Sequence, residues 1–153
     1  MKKYFGLFLL LGILVACGKD KFETKPQLTL KSVNSREVPF NGNLVVTLEF
    51  TDKEGDVNDS LYVIRERINK RGPVVAPPSD FKIPNFPNRD QGEFQINFDF
   101  QTQLAFGFTS IRIPGTDPSQ FEPDSLILKF VARDKEGNLS DTLVVDKIIV
   151  ERR

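Results

Sequence analysis

The most concentrated set of potential ligands is a short acidic run that contains Asp52, Glu54, Asp56 and Asp59. Carboxylate oxygens at such close spacing are the hard donors that Ca²⁺ prefers. The run departs from the EF-hand pattern, because Gly55 occupies the fourth loop position instead of the sixth and no Glu closes the loop. A calcium site formed by these four carboxylates is therefore a hypothesis that rests on ligand type alone.

The acidic run belongs to an internal repeat. Residues 52–63 match residues 134–145 at 7 of 12 positions, with an offset of 82 residues. In tight turns, Asp accepts hydrogen bonds from nearby backbone N–H groups and Gly supplies a positive φ. The favoured interpretation is that both copies are strand–turn–strand connections, and calcium binding is the alternative.

The composition excludes several kinds of chemistry. The 153 residues include no His, no Trp and a single Cys, which excludes His-dependent catalysis, His metal ligands and an internal disulfide. The 21 Lys and Arg residues balance 21 Asp and Glu, so the chain lacks the positive field that binding to nucleic acid requires. The remaining polar residues form no recognisable catalytic set, and we expect neither enzyme activity nor catalytic residues.

The N-terminus has the pattern of a secretory signal. Lys2 and Lys3 precede an uncharged apolar run of 12 residues, 5–16. As a helix this run reaches only about 18 Å, which is too short for a hydrocarbon core of about 30 Å. Residues 1–16 are therefore predicted to be a signal peptide.

The end of this signal resembles the lipobox of bacterial lipoproteins, because the only Cys stands at the end of Leu14-Val15-Ala16-Cys17. The resemblance implies cleavage before Cys17 and attachment of acyl chains, such as palmitate, to its sulfur. Two or three chains at about 0.8 kcal/mol per buried CH₂ hold a protein on a bilayer. Residues 17–26 are then the lipidated N-terminus and a flexible tether. Gly18 is not the Asp typical of inner-membrane retention, so we expect the outer membrane, on either face.

The rest of the chain alternates between apolar and polar residues, as half-buried strands do. The clearest example is Phe94, Ile96, Phe98 and Phe100, which are separated by polar residues. We predict a single immunoglobulin-like antiparallel β-sandwich of seven to eight strands over 27–153. The predicted strands are 27–33, 36–40, 44–51, 60–69, 93–100, 106–113, 126–133 and 142–150.

Three further segments carry a second resemblance: Phe50-Thr51-Asp52-Lys53-Glu54-Gly55-Asp56, Glu122-Pro123-Asp124-Ser125-Leu126, and the run from Arg133 to Thr142. They resemble segments of small uncharacterised lipoproteins of Bacteroidota. The resemblance implies an anchored, single immunoglobulin-like β-domain. It brings no known activity and no catalytic residues.

The segment from Lys70 to Gly92 differs from the strands around it, because it contains five prolines. One interpretation, which we favour, is that it folds back to cover an open sheet edge. The other is that Phe81 and Phe86, with the basic Arg89, present a surface for a partner.

These observations predict a lipid-anchored, non-catalytic binding module at the cell envelope. Its partner would be another envelope protein or a glycan, and its ligand is not specified by the sequence. The first alternative is a structural envelope protein without a dedicated ligand. The second is a glycan-binding module stabilised by Ca²⁺.

Overall fold

The computed structural model describes residues 23–153, so the predicted signal peptide 1–16, Cys17 and most of the tether 17–26 lie outside the described residues. Its nine strands are, in chain order, β1 (Gln27–Val33), β2 (Glu37–Val38), β3 (Asn43–Thr51), β4 (Ser60–Arg67), β5 (Val74–Val75), β6 (Ser79–Lys82), β7 (Gln91–Asp99), β8 (Asp124–Arg133) and β9 (Leu143–Val150). One short π-helix, Phe100–Leu104, comes directly after β7. No helix of this described part is long and apolar enough to span a membrane.

The strands form two sheets. The smaller sheet has three antiparallel strands in the order β1-β3-β7. The larger sheet has six, in the order β2-β9-β8-β4-β5, with β6 also paired to β4. The all-β sandwich that was predicted is therefore confirmed. In finer detail, β2 runs parallel to β9, and two strands that were not predicted, β5 and β6, lie within Lys70–Gly92.

The core lies between the sheets and reflects the alternation in the sequence. Leu44, Val46 and Leu48 of β3 are fully buried, and β8 buries every second residue along its length. The rings of Phe98 on β7 and Phe130 on β8 meet edge to face, with their centroids 6.3 Å apart. Aromatic rings thus join the two sheets without a disulfide or a tryptophan.

The predicted strand at 106–113 is wrong. After β7, the Asp99 carboxylate accepts hydrogen bonds from the N–H groups of Gln101 and Thr102, which turns the chain into the π-helix. Two carbonyls beyond the π-helix accept hydrogen bonds from buried guanidinium groups, and the β-pairing of 106–113 is limited to an isolated antiparallel bridge between Arg112 and Phe121. Arg65 donates to Phe106 O at 2.9 Å, and Arg67 donates to Thr109 O at 2.7 Å. These two carbonyls therefore accept hydrogen bonds from side chains that lie 41 and 42 residues away in the sequence, and are not available to a strand ladder.

Candidate functional site

A groove with a volume of about 410 Å³ opens between the segment 81–86 and strand β7. Its apolar walls come from both sheets, and polar side chains stand along its rim. The lining residues are Leu61, Phe81, Lys82, Ile83, Pro84, Phe86, Glu93, Phe94, Gln95, Ile96 and Asn97.

Aromatic contacts position the first wall of the groove. Phe81 stands opposite Leu61 in the β4–β6 pair, and its ring meets Phe98 edge to face at 5.8 Å between centroids. The ring of Phe86 lies 5.9 Å from that of Phe50, which in turn stacks on Phe94 at 4.6 Å. Phe81 and Phe86, the two aromatic residues predicted to bind a partner, are half buried and both line the groove.

The segment that carries Phe86 is held by the loop between β3 and β4. The Asn58 Nδ2 group donates to the Phe86 carbonyl and to Asn85 Oδ1, at 3.1 Å in both cases. Two backbone hydrogen bonds add to this, from Arg89 N to Gly55 O at 2.9 Å and from Asp52 N to Asp90 O at 2.8 Å. The wall of the groove therefore rests on the loop that contains the acidic run.

The three residues predicted to bind a partner do not all meet. Phe81 and Phe86 line the same groove, but Arg89 does not. The Arg89 backbone instead packs against Gly55, where an added Cβ would lie 2.8 Å from it. The prediction also missed Ile83, Phe94 and Ile96. The alternation predicts that Phe94 and Ile96 face the core, and Ile96 is indeed buried there, but alternation does not show that a strand lies at the edge of a sheet.

Strand β7 is the free edge of the smaller sheet. It pairs with β3 in an unbroken register of nine residues, and its other side pairs with no strand in the described range 23–153. The opposite edge, β1, is interrupted by a bulge between Leu30 and Ser32. The edges of the larger sheet consist of strands of two to four residues. Bulges and short edge strands hinder the addition of another strand. Strand β7 has neither feature, because it is nine residues long and contains no bulge.

A cluster of carboxylates lies at one end of the sandwich. Carboxylate oxygens of Asp52, Asp56 and Asp134 all lie within 4.8 Å of one another. The cluster joins the two copies of the repeat, and a backbone hydrogen bond of 3.3 Å from Lys135 N to Asp56 O also links them. Of the four hypothesised calcium ligands, Asp52 and Asp56 therefore lie together, and Asp134 of the second repeat copy joins them.

The other two hypothesised ligands lie elsewhere. Glu54 is exposed. The Asp59 carboxylate pairs with the guanidinium of Arg133 and lies 3.9 Å from the ammonium group of Lys82. The Arg133 guanidinium lowers the pKa of Asp59. The four carboxylates of the first repeat copy therefore do not form a single site.

The two copies form equivalent turns, as the favoured interpretation predicted. Asp52 Oδ2 accepts a hydrogen bond from Asp56 N at 2.9 Å, and Asp134 Oδ1 accepts one from Asn138 N at 2.7 Å. Gly55 and its counterpart Gly137 have φ values of +71° and +93°. The two turns differ in the strands that they join, because the first leads from one sheet to the other and the second joins β8 to β9.

Burial and mutual repulsion make it unfavourable for all three carboxylates of the cluster to be ionised at once. Asp52 is 0% exposed and Asp134 is 2% exposed. Burial raises the pKa of Asp52 to about 6, and the charges of Asp56 and Asp134 act in the same direction, while the hydrogen bond from the Asp56 N–H opposes them. Among the ion pairs that join residues of 23–153, none ends on these three carboxylates.

Comparisons with known proteins give no family. No protein-family model matches the chain, and no curated protein matches its sequence. Among solved structures, the sporulation control protein Spo0M of Bacillus subtilis is similar with a TM-score of 0.42 at 11% identity, over 84% of this chain and 50% of that one. A β-glucosidase of Listeria innocua gives a TM-score of 0.39 at 13% identity, over 83% of this chain and 16% of that one. The chain thus spans half of the first protein and a small part of the second.

Proposed function

We propose that this protein is a lipid-anchored, non-catalytic binding module of the cell envelope. We further propose that the groove beside β7 receives an extended segment of a partner envelope protein. The observation that carries the proposal is the coincidence of an apolar groove with a long, regular and unpaired strand edge within the described residues. A peptide added to such an edge gains affinity from main-chain hydrogen bonds and specificity from pockets for alternate side chains.

The lining of the groove specifies the chemistry of that segment. Along an added strand, every second side chain would face the apolar wall formed by Phe81, Ile83 and Phe86. The remaining side chains would lie beside the exposed residues Glu93, Gln95 and Asn97 of β7. The partner segment is therefore one in which apolar and polar residues alternate.

The binding proposal is tested with a display library of random nine-residue peptides and the purified chain. We expect enrichment of peptides with alternating apolar residues. Ile83→Asp places a charge in the groove and is expected to weaken the binding of an enriched peptide at least about tenfold, which is about 1.4 kcal/mol. The matched control is Val144→Asp on β9, where the side chain is 51% exposed and outside the groove.

Methylation of the peptide backbone separates strand addition from simple apolar contact. Only alternate N–H groups of an added strand face the sheet. N-methylation at one set of alternate positions is therefore expected to abolish binding, while the other set tolerates it. An absence of enriched peptides, or equal binding to Ile83→Asp, would contradict the proposed groove and leave the structural alternative.

The lipid anchor is tested at the single cysteine. Cells that express the chain are fed an alkyne analogue of palmitate, and we expect the wild-type protein to incorporate it and to fractionate with membranes. Cys17→Ser removes the only thiol and is expected to abolish the labelling completely. Labelling of the variant, or an unlabelled wild-type protein, would contradict the anchor without affecting the groove.

A further inference from the structure

We propose that Asp52, Asp56 and Asp134 form a binding site for a divalent cation, and that Ca²⁺ is the ion that it takes. The site is assembled from both copies of the repeat, and so differs from a calcium loop of contiguous residues. The proposal does not rest on the proposed peptide groove, although both sites use the loop between β3 and β4.

Unsatisfied buried oxygens provide the first argument. Of the side-chain polar atoms buried within 23–153, five have no hydrogen-bond partner within the protein, and three of these are Asp52 Oδ1, Asp56 Oδ1 and Asn58 Oδ1. Asp52 and Asn58 are 0% and 6% exposed. A buried acceptor without a partner costs about 1–3 kcal/mol, and more when it is charged. Three such oxygens on one short loop, two of them on carboxylates, favour binding of a positively charged ligand.

A comparison within the same protein provides the second argument. Asp124, at the start of β8, is as deeply buried as Asp52, but the guanidinium groups of Arg67 and Arg152 pair with it. Asp134 lies just past the other end of β8 and shares its site with two more carboxylates. Since a buried charge needs a partner of opposite sign, a cation at the Asp134 end would complete the same pattern.

The donor types select the ion. The site offers the carboxylate oxygens of three aspartates, and the chain contains no His and no second Cys. Hard oxygen donors suit Ca²⁺ and Mg²⁺, and disfavour metals that prefer nitrogen or sulfur. Ca²⁺ accepts several carboxylates in irregular geometry, whereas Mg²⁺ requires near-ideal octahedral geometry and retains waters. Three carboxylates from two separate turns therefore favour Ca²⁺.

The test compares the thermal unfolding of the full-length chain in EDTA and in excess CaCl₂ at matched ionic strength. Ca²⁺ is expected to raise the melting temperature by about 10 °C when its concentration is 100-fold above Kd. MgCl₂ at the same concentration is expected to have a smaller effect. Calorimetric titration of the EDTA-stripped protein is expected to give one Ca²⁺ per chain.

Three variants make the test specific. Asp52→Asn and Asp134→Asn each remove one negative charge, so they are expected to melt at a higher temperature than wild type in EDTA and to lose the Ca²⁺ shift. Glu54→Gln makes the same change of charge at an exposed position in the same loop and is expected to behave as wild type. Loss of the shift in Glu54→Gln would indicate non-specific binding and would overturn the proposal.

Other outcomes would also overturn it. If the Asn variants are stabilised but Ca²⁺ shifts nothing in the wild-type protein, the carboxylates are neutralised by protons alone. If Asp52→Asn and Asp134→Asn both keep the full shift, Ca²⁺ binds elsewhere. Hydrogen exchange adds a readout that does not depend on the variants, because Ca²⁺ is expected to slow exchange at the Asp52 and Arg89 amides, whose hydrogen bonds join this loop to residues 89–90.

Discussion

Replacing Asp124 with alanine is expected to lower the free energy of unfolding by about 3–5 kcal/mol. The carboxylate is 0% exposed and pairs with two arginines whose side chains are 6% and 9% exposed. The Arg67 nitrogen lies 3.2 Å from Asp124 Oδ1, and Arg152 Nε donates to Oδ2 at 2.7 Å. Removing the anion leaves both guanidinium groups buried with hydrogen bonds to carbonyls but without this counter-charge, which costs more than the pair itself contributes.

Urea denaturation measures this effect, and an exposed ion pair supplies the control. Asp141 pairs with the Lys25 ammonium group at 2.6 Å, but its side chain is 82% exposed. Because water screens such pairs, Asp141→Ala is expected to change the free energy of unfolding by no more than about 1 kcal/mol. If Asp124→Ala has an equally small effect, the arginines do not depend on this carboxylate.

Replacing Phe98 with alanine is expected to cost about 3–5 kcal/mol of folding free energy. The ring is 1% exposed and contacts Phe130 across the core and Phe81 beside the groove. Its removal leaves a cavity that the strands cannot close, because β3 and β8 hold the two sides of the core in separate sheets. The midpoint of urea unfolding and the slope of the transition together measure the loss.

Phe106→Ala is the matched control for that substitution. Phe106 is 66% exposed, and its replacement is expected to change the stability by less than about 0.5 kcal/mol. Equal costs at the two positions would contradict the assignment of Phe98 to the core.

The two proposals meet in the loop between β3 and β4. Asp52 and Asp56 belong to the carboxylate cluster, while Asn58 of the same loop holds Asn85 and the Phe86 carbonyl. A cation that orders this loop would therefore also order one wall of the groove. We therefore expect the affinity of an enriched peptide to be higher in the presence of Ca²⁺ than in EDTA.

The edge-cover and binding interpretations of Lys70–Gly92 are compatible with each other. Strands β5 and β6 pair with β4 and cover its edge, and the residues after β6 line the groove. The prolines marked the segment as unusual, but its division into two short strands depends on hydrogen bonds to β4. Local sequence patterns do not predict this pairing, because it depends on which strand lies beside the segment in the folded protein.

The β architecture could be predicted from the sequence, since alternation with a period of two is a local property that burial of one face requires. The two Asp–Gly turns could be predicted as well, because their hydrogen bonds span only four residues. The meeting of Asp134 with Asp52 and Asp56 could not, because it depends on how strands distant in the chain align and how two sheets stack. The absence of a strand at 106–113 could not be predicted either. Three carbonyls of this segment accept hydrogen bonds from arginines on β4 and near the C-terminus, which approach them only once the chain has folded.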